Sequence, residues 1–326
     1  MQRSECINVI NRLAADGVPF VFIISYDAAD CRVWPAGSVP DGVFYNLNGV
    51  GNDASMRPAA HHGSIRWNVK AEDESSYKRR FDIVQRHLRL GDTYLVNLTS
   101  RTEVDTDLTM ADIYRLSEAK YKIFVRDEFV CFSPETFLQI SNGTISCCPM
   151  KGTIPASVPG AEQTLMADRK EAAEHATIVD LIRNDLSMVA GHVTVERYRY
   201  VERLHTNKGD ILQTSSRITG RLPRSFERHL GNIIFSQLPA GSITGAPKPM
   251  TCRIISEAED YRRGFYTGVM GYWHDGTLDS AVMIRFIDTD GRRLWFKAGG
   301  GITAMSDCRS EYLETIEKIY VPITSF

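Results

Sequence analysis

CCPMKGTIPASVPGAEQTLMADRKEAAEHATIVDLIRND, residues 147–185, runs from a strand-like segment through a glycine turn and a loop into an apolar helix. Lys151 stands at the end of the strand-like run, and Gly152 beside it permits a tight backbone turn and close approach of a ligand. A lysine so placed is a candidate nucleophile. After the loop, Glu171 and Glu174 are spaced to share one helical face, which continues through Ile178, Leu181 and Ile182. These carboxylates point where the core should be.

A solvated helix start would also favour Glu171 and Glu174 beside Lys170, through the dipole alone. The spacing recurs, however, at Glu311 and Glu314 in CRSEYLETIEKIY, with Leu313, Ile316 and Tyr320 expected on the opposite side of that helix. Facing pairs would form an oxygen-only cage, and buried carboxylates require a cation. Oxygen ligands without clustered His or Cys favour a hard ion that shares its shell with an anionic substrate, so Mg2+ is the expected metal. Removing one carboxylate from the metal-free cage is expected to relieve repulsion and leave the fold intact.

With 326 residues, 43% apolar and 24% charged, the chain has the composition of a soluble globular protein able to bury a large core. A net charge of −2 and no long basic cluster argue against nucleic-acid or membrane-surface partners and for a small-molecule ligand. The first residues lack a signal-peptide core and no later run approaches a membrane span, so a cytoplasmic location is expected. The 7 cysteines form no C-x-x-C pair, which suggests neither disulfides nor zinc.

Taken in order, residues 2–16 read as a helix, followed by strand-like VPFVFIIS and VFYNLNG. A helix over 74–90 should stop at a left-handed Gly91. TYLVNLTSRTEV reads as a strand, 109–119 as a short helix, and 121–150 as a mainly antiparallel meander in which Ser133-Pro134-Glu135 places a carboxylate at a turn. Two alternating strands follow the central helix, joined by a turn at 207–210, and then comes a helix near 225–237. Pro247 is expected as the first residue of the next helix, whose N-terminus, presented by Gly241 to Ala246, would attract anions. It is not a P-loop, because Ala246-Pro247-Lys248 breaks the Walker pattern, and nucleotide binding is rejected. Three strands complete the chain: FYTGVMGYW, AVMIRFID with Arg285 inside it, and RRLWFKAGGG ending in a loop of Gly299, Gly300 and Gly301. An inward arginine beside free glycine N–H groups is a way to grip a carboxylate. No linker or repeat divides the sequence, and a single domain over 1–326 is expected.

GDTYLVNLTSR, SPETFL, PMKGT, IVDLIRNDLS, LPAGSITGAPK, YTGVMGY, MIRF and AGGGITAMSDCRSEYLET follow one another from Gly91 to the C-terminal helix. In this order they resemble the chorismate-utilising enzymes, in particular the aminodeoxychorismate synthase component I group; the match before Gly91 is weak. The resemblance implies an α+β fold of two packed, mainly antiparallel sheets with outer helices, and a Mg2+-dependent chorismate site between them. It implies Glu174 and Glu314 as metal ligands, with Glu171 and Glu311 holding waters or completing the shell. Tyr266, Arg285 and Gly299, Gly300 and Gly301 match positions that hold the enolpyruvyl carboxylate, while Thr244 and Gly152 lie near the ring carboxylate.

Lys151 selects the reaction, because anthranilate synthases have a small residue there. The implied mechanism has Glu135 protonate the departing C4 hydroxyl, Lys151 attack C2 to form a covalent adduct, and ammonia add at C4 to give 4-amino-4-deoxychorismate for folate precursor synthesis. A lysine of ordinary pKa is protonated near pH 7, so desolvation or a nearby cation must strip it. Leu95 replaces the glutamine or water-activating lysine of relatives, which disfavours water attack at C2. Gln213 stands where many relatives have a histidine tied to pyruvate elimination, which favours release of the non-aromatic product. Full-length relatives have an extra N-terminal portion that in some forms a regulatory pocket, so feedback control is not expected here. With no glutaminase segment visible, ammonia should come from a separate glutamine amidotransferase. The competing expectations are an anthranilate synthase component I and a non-catalytic chorismate-binding or regulatory subunit.

Overall fold

The computed structural model of the protein describes residues 1–56, 65–204 and 210–323. In chain order the elements are α1 (Arg3–Ala15), β1 (Phe20–Ile24), β2 (Cys31–Pro35), β3 (Val43–Leu47), β4 (Val50–Gly51), β5 (Trp67–Lys70), α2 (Glu74–Leu90), β6 (Leu95–Thr106), α3 (Met110–Leu116), β7 (Tyr121–Val125), β8 (Phe129–Ser133), β9 (Thr136–Ser141) and β10 (Thr144–Cys147). They continue with β11 (Met150–Pro155), α4 (Ala161–Ala167), α5 (Arg169–Ser187), β12 (Gly191–Leu204), β13 (Ile211–Arg221), α6 (Leu230–Ser236), β14 (Gly245–Ala246), α7 (Lys248–Ala258), β15 (Val269–His274), β16 (Thr277–Val282), β17 (Phe286–Thr289), β18 (Leu294–Ile302) and α8 (Cys308–Glu317).

The strands form two 9-stranded antiparallel sheets. The first runs β11-β13-β10-β9-β16-β15-β1-β2 with β12 beside β13, and the second runs β14-β6-β18-β17-β8-β7-β3-β4 with β5 beside β6. Period-two alternation decides the layers. On β1, Phe20, Phe22 and Ile24 pack against α1, α5 and α6, whereas Val21 and Ile23 join Tyr45, Ile123, Cys131 and Phe286 between the sheets. Helices α2 and α7 cover β6, and α3 covers β7 and β8. The α+β architecture of two packed sheets with outer helices stands as the sequence implied.

The helix over 74–90 begins at Asp73, whose carboxylate accepts from the amides of Ser75 and Ser76, and ends at Gly91 with φ 79°. Pro247 corrects its expectation by one position: it caps α7 in extended backbone, and Lys248 opens the helix. Lys248 then turns back to pair with Asp185 at 2.6 Å. Among the described residues no helix is long and apolar enough to cross a membrane. The turn expected at 207–210 lies largely outside the described residues.

Two differences matter for the site. AVMIRFID is two strands, since β16 ends at Val282 in the first sheet and β17 begins at Phe286 in the second. The crossing is a tight turn, closed by the Ile284 amide donating to the Val282 carbonyl at 3.0 Å, and Arg285 takes φ 54°. An arginine inside the apolar ladder would have faced packed side chains; at the crossing it faces a cavity. Conversely, Gly299, Gly300 and Gly301 are not a terminal loop but lie within β18, opposite Thr99, Leu98 and Asn97 of β6. Pairing with β17 begins at Lys297, so the other edge of the glycine run has no ladder partner among the described residues.

Strand β14 is pinned to β6 by Gly245, where a Cβ would stand 1.8 Å from the Leu95 carbonyl oxygen at φ 121°. Gly245→Ala is therefore expected to destabilise the protein by at least about 3 kcal/mol, because both the clash and the dihedral must be relieved in backbone. Thermal unfolding of the variant checks this; a melting temperature equal to wild type would show that the β14–β6 junction can move aside.

Candidate active site

At the end of the sandwich where β11, β18, α5 and α8 meet, a cavity of about 610 Å³ is lined by Lys151, Gly152, Glu171, Glu174, Glu135, Tyr266, Arg285, Gly299, Gly300, Gly301, Glu311 and Glu314. Thr244 is not brought to it. That residue is fully buried, and its hydroxyl donates to the Ala240 carbonyl at 2.8 Å.

The position of Lys151 follows from a bulge in β11, where pairing with β13 slips between Lys151 and Thr153 around Gly152 at φ 68°. Its Nζ lies 2.6 Å from Glu174 Oε2. Across the cavity a Cβ on Gly301 would come within 3.2 Å of the same Nζ, so the absence of a side chain there keeps the lysine's approach open. On α5, capped by Asp168 accepting from the Glu171 amide, Glu174 is buried in line with Ile178 and Ile182. The expectation for that helix holds for Glu174, Ile178 and Ile182, while Glu171 and Leu181 are half-buried.

Helix α8 is different. Glu311 and Thr315 are its buried residues, and Leu313 is 47% exposed. Leu313 lies opposite Glu311, as expected, and is exposed because the helix turns Glu311 inward, while Glu314 is half exposed beside Lys318. Lys170 pairs with Glu311 at 3.1 Å and Lys318 with Glu314 at 2.7 Å, while Lys318 also donates to the Gly299 carbonyl at 3.1 Å. The facing carboxylates are thus neutralised by lysines, and among the described residues no group of three or more His, Cys, Asp or Glu is arranged to hold a metal. The donor chemistry nonetheless fits a hard cation: the ligands are oxygens, and Glu174 Oε1 is buried without a hydrogen bond.

Electrostatics divide the titratable groups. Desolvation would lower the Lys151 pKa, but Glu174, with Glu171 and Glu314 behind it, outweighs burial and raises it above the ordinary value. In this charge state the lysine is an ammonium and not yet a nucleophile. Burial pushes the Glu135 carboxyl up against the opposing pull of Ser242, Lys151 and Arg285, which suits a group that must carry a proton. Ser242 donates its hydroxyl to Glu135 Oε1. Arg285 stacks over Tyr320 at 4.9 Å and has no carboxylate partner among the described residues, leaving it to receive an anion.

Sequence reading missed Lys318, Ser242, Asn97 and Lys297, which also line the cavity. Lys318 was findable, being spaced to pair with Glu314 on a helix. Ser242 lies within LPAGSITGAPK, but nothing local says that it faces Glu135.

A family model described as chorismate binding enzyme matches residues 38–324, and the chain belongs to that family. An uncharacterized PabA-like protein of Haemophilus influenzae is 43% identical over 319 residues, covering 97% of this chain and 96% of the relative. Aminodeoxychorismate synthase component 1 of Salmonella typhimurium is 36% identical over 258 residues, which are 74% of this chain and 56% of that protein. Anthranilate synthase component I from Streptococcus pneumoniae TIGR4 superposes with a TM-score of 0.64 at 28% identity, over 79% of this chain and 59% of that one.

The ion pairs reverse the sign expected for removing a carboxylate. In the metal-free protein Glu174→Ala leaves Lys151 without its partner in a largely enclosed site, and should cost about 2 kcal/mol after allowance for partial exposure. Chemical denaturation in chelator tests this; a variant as stable as wild type, or more so, would mean that repulsion among the glutamates dominates.

Proposed function

We propose that the chain aminates chorismate with ammonia to 4-amino-4-deoxychorismate, acting as an aminodeoxychorismate synthase component I. The observation that carries the reading is Lys151, an amine at the cavity wall with Glu174 as its partner and an open approach over Gly301. Arg285 and Tyr266, with the open edge of β18, receive the enolpyruvyl carboxylate. Mg2+ is the proposed metal: Glu174 and Glu314 would hold it with Glu171 and Glu311 around them, and it would supply positive charge to balance the cage.

Lys151, once its ammonium proton has passed to solvent, attacks C2 through the free amine while Glu135 gives its proton to the C4 hydroxyl, which leaves as water as the ring electrons shift. Ammonia adds at C4 as the C2–Nζ bond breaks, its excess proton returns to the Glu135 carboxylate, and both the acid and the Lys151 amine are restored for another turn. Ammonia is proposed to come from a separate glutamine amidotransferase, as the component name of the relatives suggests, so the isolated chain should use ammonium salts and not glutamine.

Incubation with chorismate, Mg2+ and an ammonium salt, followed by a lyase, should yield 4-aminobenzoate; anthranilate as the main product would overturn the assignment. Lys151→Ala should abolish most turnover while chorismate affinity changes little, as expected for a group acting in the transition state. Unchanged turnover and product in that variant would reduce Lys151 to a positioning charge. Glu135→Gln should lower kcat by about 10²- to 10⁴-fold, the usual worth of a general acid. For the metal, Glu174→Ala and Glu314→Ala should remove Mg2+-dependent turnover, and near-normal activity with unchanged Mg2+ dependence in either would exclude the cage.

A further inference from the structure

Behind the cavity wall made by Asn97, Ile243, Thr267 and Lys297 lies a buried ion pair that the chemistry above does not use. Arg263 donates to both oxygens of Glu259, from Nε at 2.8 Å and Nη2 at 2.6 Å, with each side chain 2% exposed. Its remaining donors reach the wall itself. Nη2 donates to the Asn97 carbonyl at 2.6 Å, and Nη1 donates to the Ile243 carbonyl at 3.0 Å and to Thr267 Oγ1 at 3.4 Å. The Arg263 carbonyl in turn accepts from Lys297 Nζ at 3.0 Å. One residue thus ties β6, the loop before β14, the turn before β15 and β18.

Stability alone is a poor reason for such a pair, since an apolar pair of similar volume would often serve as well. What an apolar pair cannot supply is a planar fork that fixes carbonyls from separate segments at set distances. The wall needs this for two further reasons. Its outer side is hollow, a cleft of about 880 Å³ lined by Tyr26, Cys252, Glu259, Tyr261 and Arg263, so no thick apolar core backs it. Thr267 is also held at φ 61°, an outlier for a β-branched residue that persists only where its surroundings impose it.

We infer that Arg263, locked by Glu259, is a positioning residue that sets the cavity wall beside Tyr266 and Arg285 and so determines how well the carboxylate end of the substrate is received. The inference rests on the proposal that chorismate occupies this cavity with that end against Arg285. Glu259 is braced from behind, accepting from the Thr99 amide at 2.9 Å and the Thr99 hydroxyl at 2.7 Å, while the Tyr261 hydroxyl lies 2.5 Å from Thr99 Oγ1. The array reaches the cavity through Arg263 and the wall, and through Thr99 opposite Gly299.

Arg263→Lys keeps the charge and loses the fork. Its chorismate KM should rise about tenfold, the worth of one charge-assisted hydrogen bond, with kcat within about threefold of wild type. Glu259→Gln should shift KM in the same direction, and the double variant should add little to the larger single effect, because the two act as a unit. Tyr261→Phe, a milder change outside the cavity, should raise KM about twofold and keeps the test open if Arg263→Lys does not fold. Wild-type chorismate binding by calorimetry and turnover are measured first, and failure of both would sink the chorismate reading together with this inference. If wild type binds or turns over chorismate, unchanged KM and affinity in the folded variants would overturn the positioning role alone. Lower melting temperature at unchanged KM would do the same, since a purely structural pair reduces the folded fraction without changing the affinity of what remains folded.

Discussion

The charge balance at the closed end of the cavity constrains the rest of the molecule. Glu174 and Glu311 are nearly excluded from water, and Lys151 and Lys170 pair with them at 2.6 and 3.1 Å. Lysines held in this way are partners, not spectators. Because Lys151 also lines the cavity, the pair that stabilises the resting site is the one that the proposed attack by Lys151 would have to relax. The carboxylates therefore link a structural role to the proposed reaction, and the orphaned oxygen of Glu174 marks where an additional positive charge would be accommodated.

A site with this much charge needs a rigid frame, and the frame comes from how the sheets exchange strands. The chain leaves the first sheet at Val282 and enters the second at Phe286, so Arg285 is presented from a fixed crossing between two ladders. Thr267 is tied to that crossing by its amide, which donates to the Met283 carbonyl at 2.8 Å. Both residues adopt positive φ, and both are anchored by neighbours that are themselves in strands or ion pairs. The strain is local, and the cost is borne by an interface whose apolar side chains are almost entirely buried.

Much of this was legible in the sequence where one element carried both signal and consequence. Helix α5 is one such case: spacing puts Glu171 and Glu174 on the face of Ile178 and Ile182, and all but the half-buried Glu171 are buried. Helix α2 is another, with cap and stop written at Asp73 and Gly91. The failures share a physical origin. The polar core side of α8 could not be read locally, because Lys170, the partner of Glu311, comes from a helix distant in sequence. MIRF reads as strand because Ile284 and Phe286 are strand formers in an apolar run, yet a change of sheet is decided by pairing partners distant in sequence. The glycines of β18 look like a loop by composition, whereas their role is to let β6 and the cavity contents come close. Arg263 and Glu259 show no local pattern that would reveal which carbonyls they bind.

The same geometry bears on which nucleophile the cavity admits. Leu95 is 3% exposed and lies against the glycine run, 3.1 Å from where a Gly301 Cβ would be, close to Lys151. An apolar side chain there cannot take a proton from water, so water near C2 gains no base from that wall. Gln213 donates its amide to the Met150 sulfur at 2.7 Å and has no imidazole's capacity to shuttle a proton. Neither side chain offers a base or a nucleophile, whereas the Lys151 amine lines the same cavity. Under the proposed reaction, that inertness is what directs the ring toward an amine and away from hydroxide.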